Sequence, residues 1–176
     1  LLRLSDGSAR LLPEMYPRVP HIGRFNLTSD AARVILDAAD THLGAMSVPY
    51  ALAIHEDYLK TCLLLLERGQ CLPSGTADKT KLFAQHALVA RTTGGAFNVD
   101  SLAQLDTLRL MRNCLIHEGG RANDRLIENL ATWRPSTEAG WVNLAERSPR
   151  SLQVGDPVTF GQAEMILTLA VTKILV

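Results

Sequence analysis

Apolar positions recur at three- and four-residue steps along most of the chain, which is the period of a helix. The opening stretch is the exception, because Pro13, Pro17 and Pro20 exclude a continuous helix there. Ser29 or Asp30 can cap a helix that runs to about residue 43, with Ala31, Val34, Ile35 and Ala38 on one face, and Gly44 is expected to end it. A second, longer helix is expected to start at Val48-Pro49, where a first-turn proline sacrifices no hydrogen bond. Leu52, Leu59, Leu63 and Leu66 keep its period, and Gly69 stops it. Pro73-Ser74-Gly75 reads as a turn, and residues 77–89 as a third amphipathic helix closed by Thr92-Thr93-Gly94-Gly95.

Asp100 or Ser101 is expected to cap the next helix, whose buried stripe is Leu105, Leu108, Met111 and Leu115 and whose stop is Gly119-Gly120. Residues 123–133 suit a short helix. From 135 to 157 the composition shifts to Ser, Gly and Pro, and residues 151–160 read as a small β-hairpin turning at Gly155-Asp156. Residues 162–176 form a last helix, apolar on most sides. The expected fold is all-α: an antiparallel bundle of about five helices with a β-hairpin excursion before the last. Residues 1–28 would be an irregular arm and 29–176 one helical domain, with 121–160 as a loop and hairpin insertion.

The length, 176 residues, suits a single domain with a real core. Hydrophobic residues make up 47% and charged residues 20%, so the chain is globular rather than disordered. The formal net charge is zero, which argues against a protein that coats nucleic acid but leaves room for a local basic cleft. Cys62, Cys71 and Cys114 show no paired metal spacing; Cys62 and Cys114 fall in apolar helical patterns, as small buried hydrophobes do. A reducing cytosol is the simplest compartment. Residues 1–6 lack the charged-then-apolar order of a signal peptide, and the longest apolar runs, such as Leu63 to Leu66, are too short for a bilayer. The chain opens without Met and closes in an apolar run, so both ends are expected to continue.

The segment 108–120 carries the most specific chemistry. Asn113 and His117 are four apart and share one helix face, Arg109 continues that row, and Arg112 flanks it about 100° around. Such residues suit RNA cleavage without metal. An imidazole titrates near neutral pH, so His117 can take a proton from a ribose 2′-hydroxyl or give one to a leaving oxygen. The planar fork of Arg112 matches a phosphate, and the Asn113 amide can orient either group. The alternative is structural: Arg112 pairing with an acid such as Glu118 or Asp106. His55-Glu56-Asp57 lacks the second histidine that a zinc helix needs, position 59 being Leu, and reads as a solvated or interface face. Lys79, Lys81 and Arg91 fit either an RNA path or a solvated face. Arg121 and Arg125, just past the motif, are better placed for backbone contacts. Trp133 and Trp141 suit base stacking or, more simply, core anchoring.

This segment resembles the HEPN superfamily, whose signature is an Arg, a polar residue (Asn, His or Asp) and a His four to six residues after the Arg. Arg112, Asn113 and His117 match the form with four intervening residues, and the apolar neighbours Leu110, Met111, Leu115 and Ile116 strengthen the likeness. The resemblance covers residues 29–176. It implies a helical bundle that pairs as a symmetric homodimer through the motif helix, so that two Arg–His sets form one cleft. It implies a metal-independent endoribonuclease of a toxin–antitoxin or antiviral system, with no cofactor. The 2′-hydroxyl would attack the adjacent phosphate to leave a cyclic phosphate. Arg112, Asn113 and His117 would be catalytic; Arg109, Arg121 and Arg125 would contact RNA. An antitoxin or accessory protein is a further implied partner. Other members of the superfamily are non-catalytic dimers that scaffold RNA or protein. In one toxin subgroup a Tyr two residues after the His is modified by a partner; here that position is Gly119, so that scheme is not supported.

Overall fold

The computed structural model describes residues 7–176; the first six residues of the expected arm, including the stretch read against a signal peptide, lie outside them. The described residues are all-helical, with no strand and two isolated bridges. The helices are α1 (Leu12–Met15), α2 (Ser29–Arg68), α3 (Thr76–Lys79), α4 (Gln85–Thr93), α5 (Val99–His117), α6 (Asp124–Ala131), α7 (Pro135–Ala145) and α8 (Gln162–Ile174), with 3-10 turns at Ile22–Phe25, Leu82–Ala84 and Pro149–Ser151. None is long and apolar enough to cross a membrane among the described residues.

The arm folds back on the start of α2. The Leu12 amide donates to the Leu27 carbonyl at 2.9 Å, and the Ser29 and Asp30 amides donate to the carbonyls of Arg10 and Ser8. The two expected helices that follow are one, α2, of 40 residues and about 60 Å. Gly44 does not stop it. A Cβ there would lie 2.4 Å from the Phe160 carbonyl oxygen and 2.7 Å from the Gly161 nitrogen, so this glycine is what lets the start of α8 touch α2. Pro49 lies inside the helix and removes one hydrogen bond, a cost of about 3 kcal/mol. Val48 and Leu52, fully buried on either side of it, offset that with about 2 kcal/mol each.

The third expected helix is divided. The Glu67 carboxylate accepts from the Gly75 amide at 3.0 Å and from the Ala77 amide, which caps α3, and Thr80 then turns extended before α4. α5 is capped by Asn98, whose side chain accepts from the Ser101 amide at 2.9 Å, rather than by Asp100 or Ser101. Asp100 instead accepts from Thr137 Oγ1 at 2.6 Å and ties α5 to α7.

The hairpin expected at 151–160 does not form. Pro157 has no amide hydrogen for a ladder, and Pro149 starts a 3-10 turn. Residues 155–158 pair instead with the segment after α5: the Ala122 amide donates to the Asp156 carbonyl, Gly155 to Ala122, and Val158 to Gly120, at 2.8–2.9 Å. Much of the expected loop 135–157 is α7, started by Pro135 in its first turn.

The core lies between α2, α5, α7 and α8, with α6 against α5. Val48 and Leu52 meet Leu105, Leu108, Trp141, Phe160, Leu167 and Val171 there. Trp133 and Trp141 pack on each other at 5.2 Å, and the Trp133 indole donates to Thr107 Oγ1 at 3.0 Å, so both are core anchors. α5 touches α2, α6, α7 and α8. Its exposed part is therefore mostly its C-terminal end, where the motif stands.

Candidate functional site

α5 carries Arg109, Arg112, Asn113 and, as its last helical residue, His117. The helix ends there because the amides of Glu118 and Gly120 both fold back to the Cys114 carbonyl, at 3.1 and 3.0 Å. Gly119 and Gly120 take positive φ angles, 61° and 75°, which glycine adopts without steric cost.

Arg112 is half-buried and fully engaged. Its Nη1 donates to Glu56 Oε1 at 3.2 Å and Oε2 at 3.4 Å, and its Nε and Nη2 both donate to Asn113 Oδ1, at 3.4 and 3.3 Å. The structural alternative thus holds in kind, with a different acid: Glu56 of α2 instead of Glu118 or Asp106. Asn113 orients the guanidinium, and its amide NH2 remains to donate. His117 is exposed at the end of the helix, one turn beyond Asn113 on the same face.

Arg109, expected as an RNA contact, is buried at 7% exposure and faces inward. Its Nη1 donates to Asp106 Oδ1 at 3.2 Å. Its Nε faces Glu56 Oε1 at 3.4 Å without hydrogen-bond alignment, so that contact is charge attraction alone. Glu56 therefore serves two guanidinium groups at once. Partial burial raises the pKa of Asp106, and the charge and hydrogen bond of Arg109 pull the other way. Arg121 and Arg125 are exposed; Arg121 Nη1 donates to the Gly155 carbonyl at 2.9 Å.

Behind Glu56 lies a pair that the chain order hides. His55 Nε2 of α2 is 3.0 Å from His86 Nε2 of α4, and both rings are buried. Desolvation first, then the Arg109 charge, lowers each pKa to about 4, so both are neutral at pH 7. His86 also meets Phe97 edge to face, with the ring centroids 5.0 Å apart. No group of three or more His, Cys, Asp or Glu placed to hold a metal exists among the described residues.

Glu56, His55 and His86 were not among the expected site residues. Glu56 is 56 positions from Arg112, and no local spacing reports such a pair. The His55-Glu56-Asp57 triplet was the available signal: His55 and Glu56 turn inward, toward α4 and α5, while Asp57 stays exposed. Comparison with known families, curated proteins and solved structures finds no match for this chain.

Proposed function

We propose that the protein is a HEPN-type, metal-independent endoribonuclease built on an antiparallel helical bundle. What carries the reading is the arrangement at the end of α5: an exposed His117 beyond an Arg112 whose guanidinium is oriented by Asn113 and Glu56. In the proposed step His117 acts as base or acid. The 2′-oxygen bonds to phosphorus as its proton leaves to a base, the bond from phosphorus to the 5′-oxygen breaks, and that oxygen takes up a proton. The products are a 2′,3′-cyclic phosphate and a 5′-hydroxyl. Arg112 would share its donors between Glu56 and the phosphate, stabilising charge on the non-bridging oxygens. Arg121 and Arg125 supply further backbone contacts, while Arg109 holds Glu56 from below.

The reading includes a homodimer through the motif helix, an RNA substrate and a place in a toxin–antitoxin or antiviral system in the cytoplasm, with an antitoxin or accessory protein as restraint. Ile116, exposed at the end of α5, leaves that helix open to a second copy, and the apolar outer face of α2 and α8 offers a separate seam.

The second reading is a non-catalytic HEPN dimer that scaffolds RNA or protein. The Arg112–Glu56 pair favours it, since that contact already satisfies the guanidinium without a ligand.

The test is incubation of purified protein with end-labelled RNA in the presence of chelator, beside His117→Ala and Arg112→Ala. The nuclease reading expects fragments with cyclic phosphate ends from the native protein and at least hundredfold less from either variant. Equal background from all three would leave the scaffold.

A further inference from the structure

We propose that the cleft between α3 and α4 binds single-stranded RNA, with Lys79, Lys81 and Arg91 on its phosphates and Phe83 stacked on a base. This inference rests on the nuclease reading for its biological meaning and gives that reading a place where substrate is held.

The cleft has a volume of about 440 Å³, within the range of sites that hold small ligands. Thr76, Lys79, Thr80, Lys81, Phe83 and Arg91 line it together with two alanines and Leu88, and no carboxylate is among the lining residues. The chain as a whole carries 18 basic and 18 acidic residues. Three cations around one depression without an acid are therefore a local departure from the average surface. Asp78, the acid nearest in sequence, is engaged with Lys60 of α2 at 2.9 Å. The local potential is positive, and a polyanion is the complementary ligand.

Phe83 selects among polyanions. Its ring is 74% exposed, and a phenyl ring left open to water between cations contributes nothing to the core. Ala87 and Arg91 follow it at four-residue steps, so the small Ala87 leaves the ring face accessible and Arg91 stands two turns on. An aromatic face beside a row of cations is the arrangement that holds unpaired bases and their backbone together. In a duplex the bases are stacked on one another and do not reach such a ring. An acidic peptide would use the cations and ignore Phe83.

The cleft also connects to the candidate site. Phe83 lines a second, smaller cavity together with His86, Phe97, Leu102 and Asp106. Asp106 is bonded to Arg109, which shares Glu56 with Arg112.

The test is fluorescence anisotropy with a labelled ten-nucleotide 2′-O-methyl RNA, which lacks the nucleophilic hydroxyl and cannot be cut. The native protein is expected to bind it, with affinity falling as salt rises. The double variant Lys81→Ala, Arg91→Ala is expected to bind at least tenfold more weakly, with a salt slope shallower by about 1.4 for two lost phosphate contacts. Phe83→Ala is expected to lose roughly tenfold with the slope unchanged, and Phe83→Trp to restore binding. All these residues are exposed, and circular dichroism checks that each variant folds. No binding by the native protein, unchanged binding by the double variant, or a blunt duplex binding as well as the single strand would each overturn the inference. Binding without cleavage of ordinary RNA would overturn only the nuclease reading. Cleavage that is indifferent to the cleft variants would overturn only the cleft.

Discussion

His55 Nε2 lies 3.0 Å from His86 Nε2, so one imidazole donates its Nε2 hydrogen and the other accepts with a bare Nε2. The two rings must therefore hold opposite tautomers. A proton added to the accepting Nε2 would put two N–H groups in opposition, and a proton on either ring would put a cation beside Arg109. The groups that face the pair are Tyr58 on α2, Phe97 before α5 and Arg109 on α5. Only Arg109 among these is charged, and it disfavours protonation.

The pair makes stability depend on pH. Each folded pKa, about 4, is below the ordinary histidine value of 6.5, so the unfolded chain binds more protons between those limits. Stability from this pair is complete above pH 6.5, falls as pH drops toward 4, and is level below that. The loss is about 3 kcal/mol for one ring at the order-of-magnitude level, with the second ring adding less than as much again because the two are coupled. Urea unfolding at pH 7.5, 5.5 and 4.5 measures it. In His86→Phe the fall over this window should shrink by at least half, and an identical fall in native and variant would refute the assignment.

Glu56 holds Arg109 and Arg112 together, and both guanidinium groups lose their shared carboxylate if it is removed. Glu56→Ala leaves two largely buried cations side by side, about 3–5 kcal/mol by the usual cost of breaking such a pair. Glu56→Gln keeps the shape and one acceptor and should cost less. The order of stability native, Gln, Ala in urea midpoints checks the point. Removing Glu56 together with both arginines should cost less than Glu56→Ala alone, because no unpaired charge then remains. If the triple variant is the least stable, the carboxylate is not what balances these charges.

Much of this architecture was legible in the chain. The apolar periods around Leu59 and Leu108 place α2 and α5, and the glycines at 119 and 120 end the motif helix where expected. The failures have a common cause in long-range packing. Gly44 reads locally as a stop, yet its meaning is the Phe160 carbonyl, 116 positions away, which any Cβ there would meet at 2.4 Å. Pro49 reads locally as a helix start, yet the burial of Val48 and Leu52 carries α2 through it. The alternation at 151–160 suggested self-pairing, whereas its backbone partners are residues 120–122. The trio Arg112, Asn113 and His117 was visible because it is local to one helix. Glu56, which determines what Arg112 can do, was not.

The outer face of α2 gives the last prediction. Leu43, Met46, Tyr50 and Ile54 follow one another at three- and four-residue steps on the side away from the core; Met46 is 76% and Tyr50 70% exposed. With Tyr58, Leu169 and Val176 they border an apolar groove of about 820 Å³ between α2 and α8. These seven side chains, all but Tyr58 more than half open, present roughly 800 Å² of surface, more than the largest apolar patch of most monomers. That is one partner's share of a standard interface. Met46 and Tyr50, the most exposed of these side chains, line the groove itself. Asp40 and Lys173 stand toward opposite ends: the start of α8 is fixed to Asp40 by the Gln162 amide at 2.8 Å, and Lys173 is in its last turn. A twofold axis near Tyr50 would bring each toward its opposite charge on the second copy. Association through this face, rather than through α5 alone, should give a particle of twice 19.2 kDa in sedimentation velocity at tens of micromolar. Tyr50→Glu and Ile54→Glu should each weaken the dimer at least tenfold while circular dichroism stays unchanged, because neither side chain supports the core. Ile116→Glu, at the exposed end of α5, should leave it intact. A native monomer, or a dimer broken only by Ile116→Glu, would move the seam to the motif helix or abolish it.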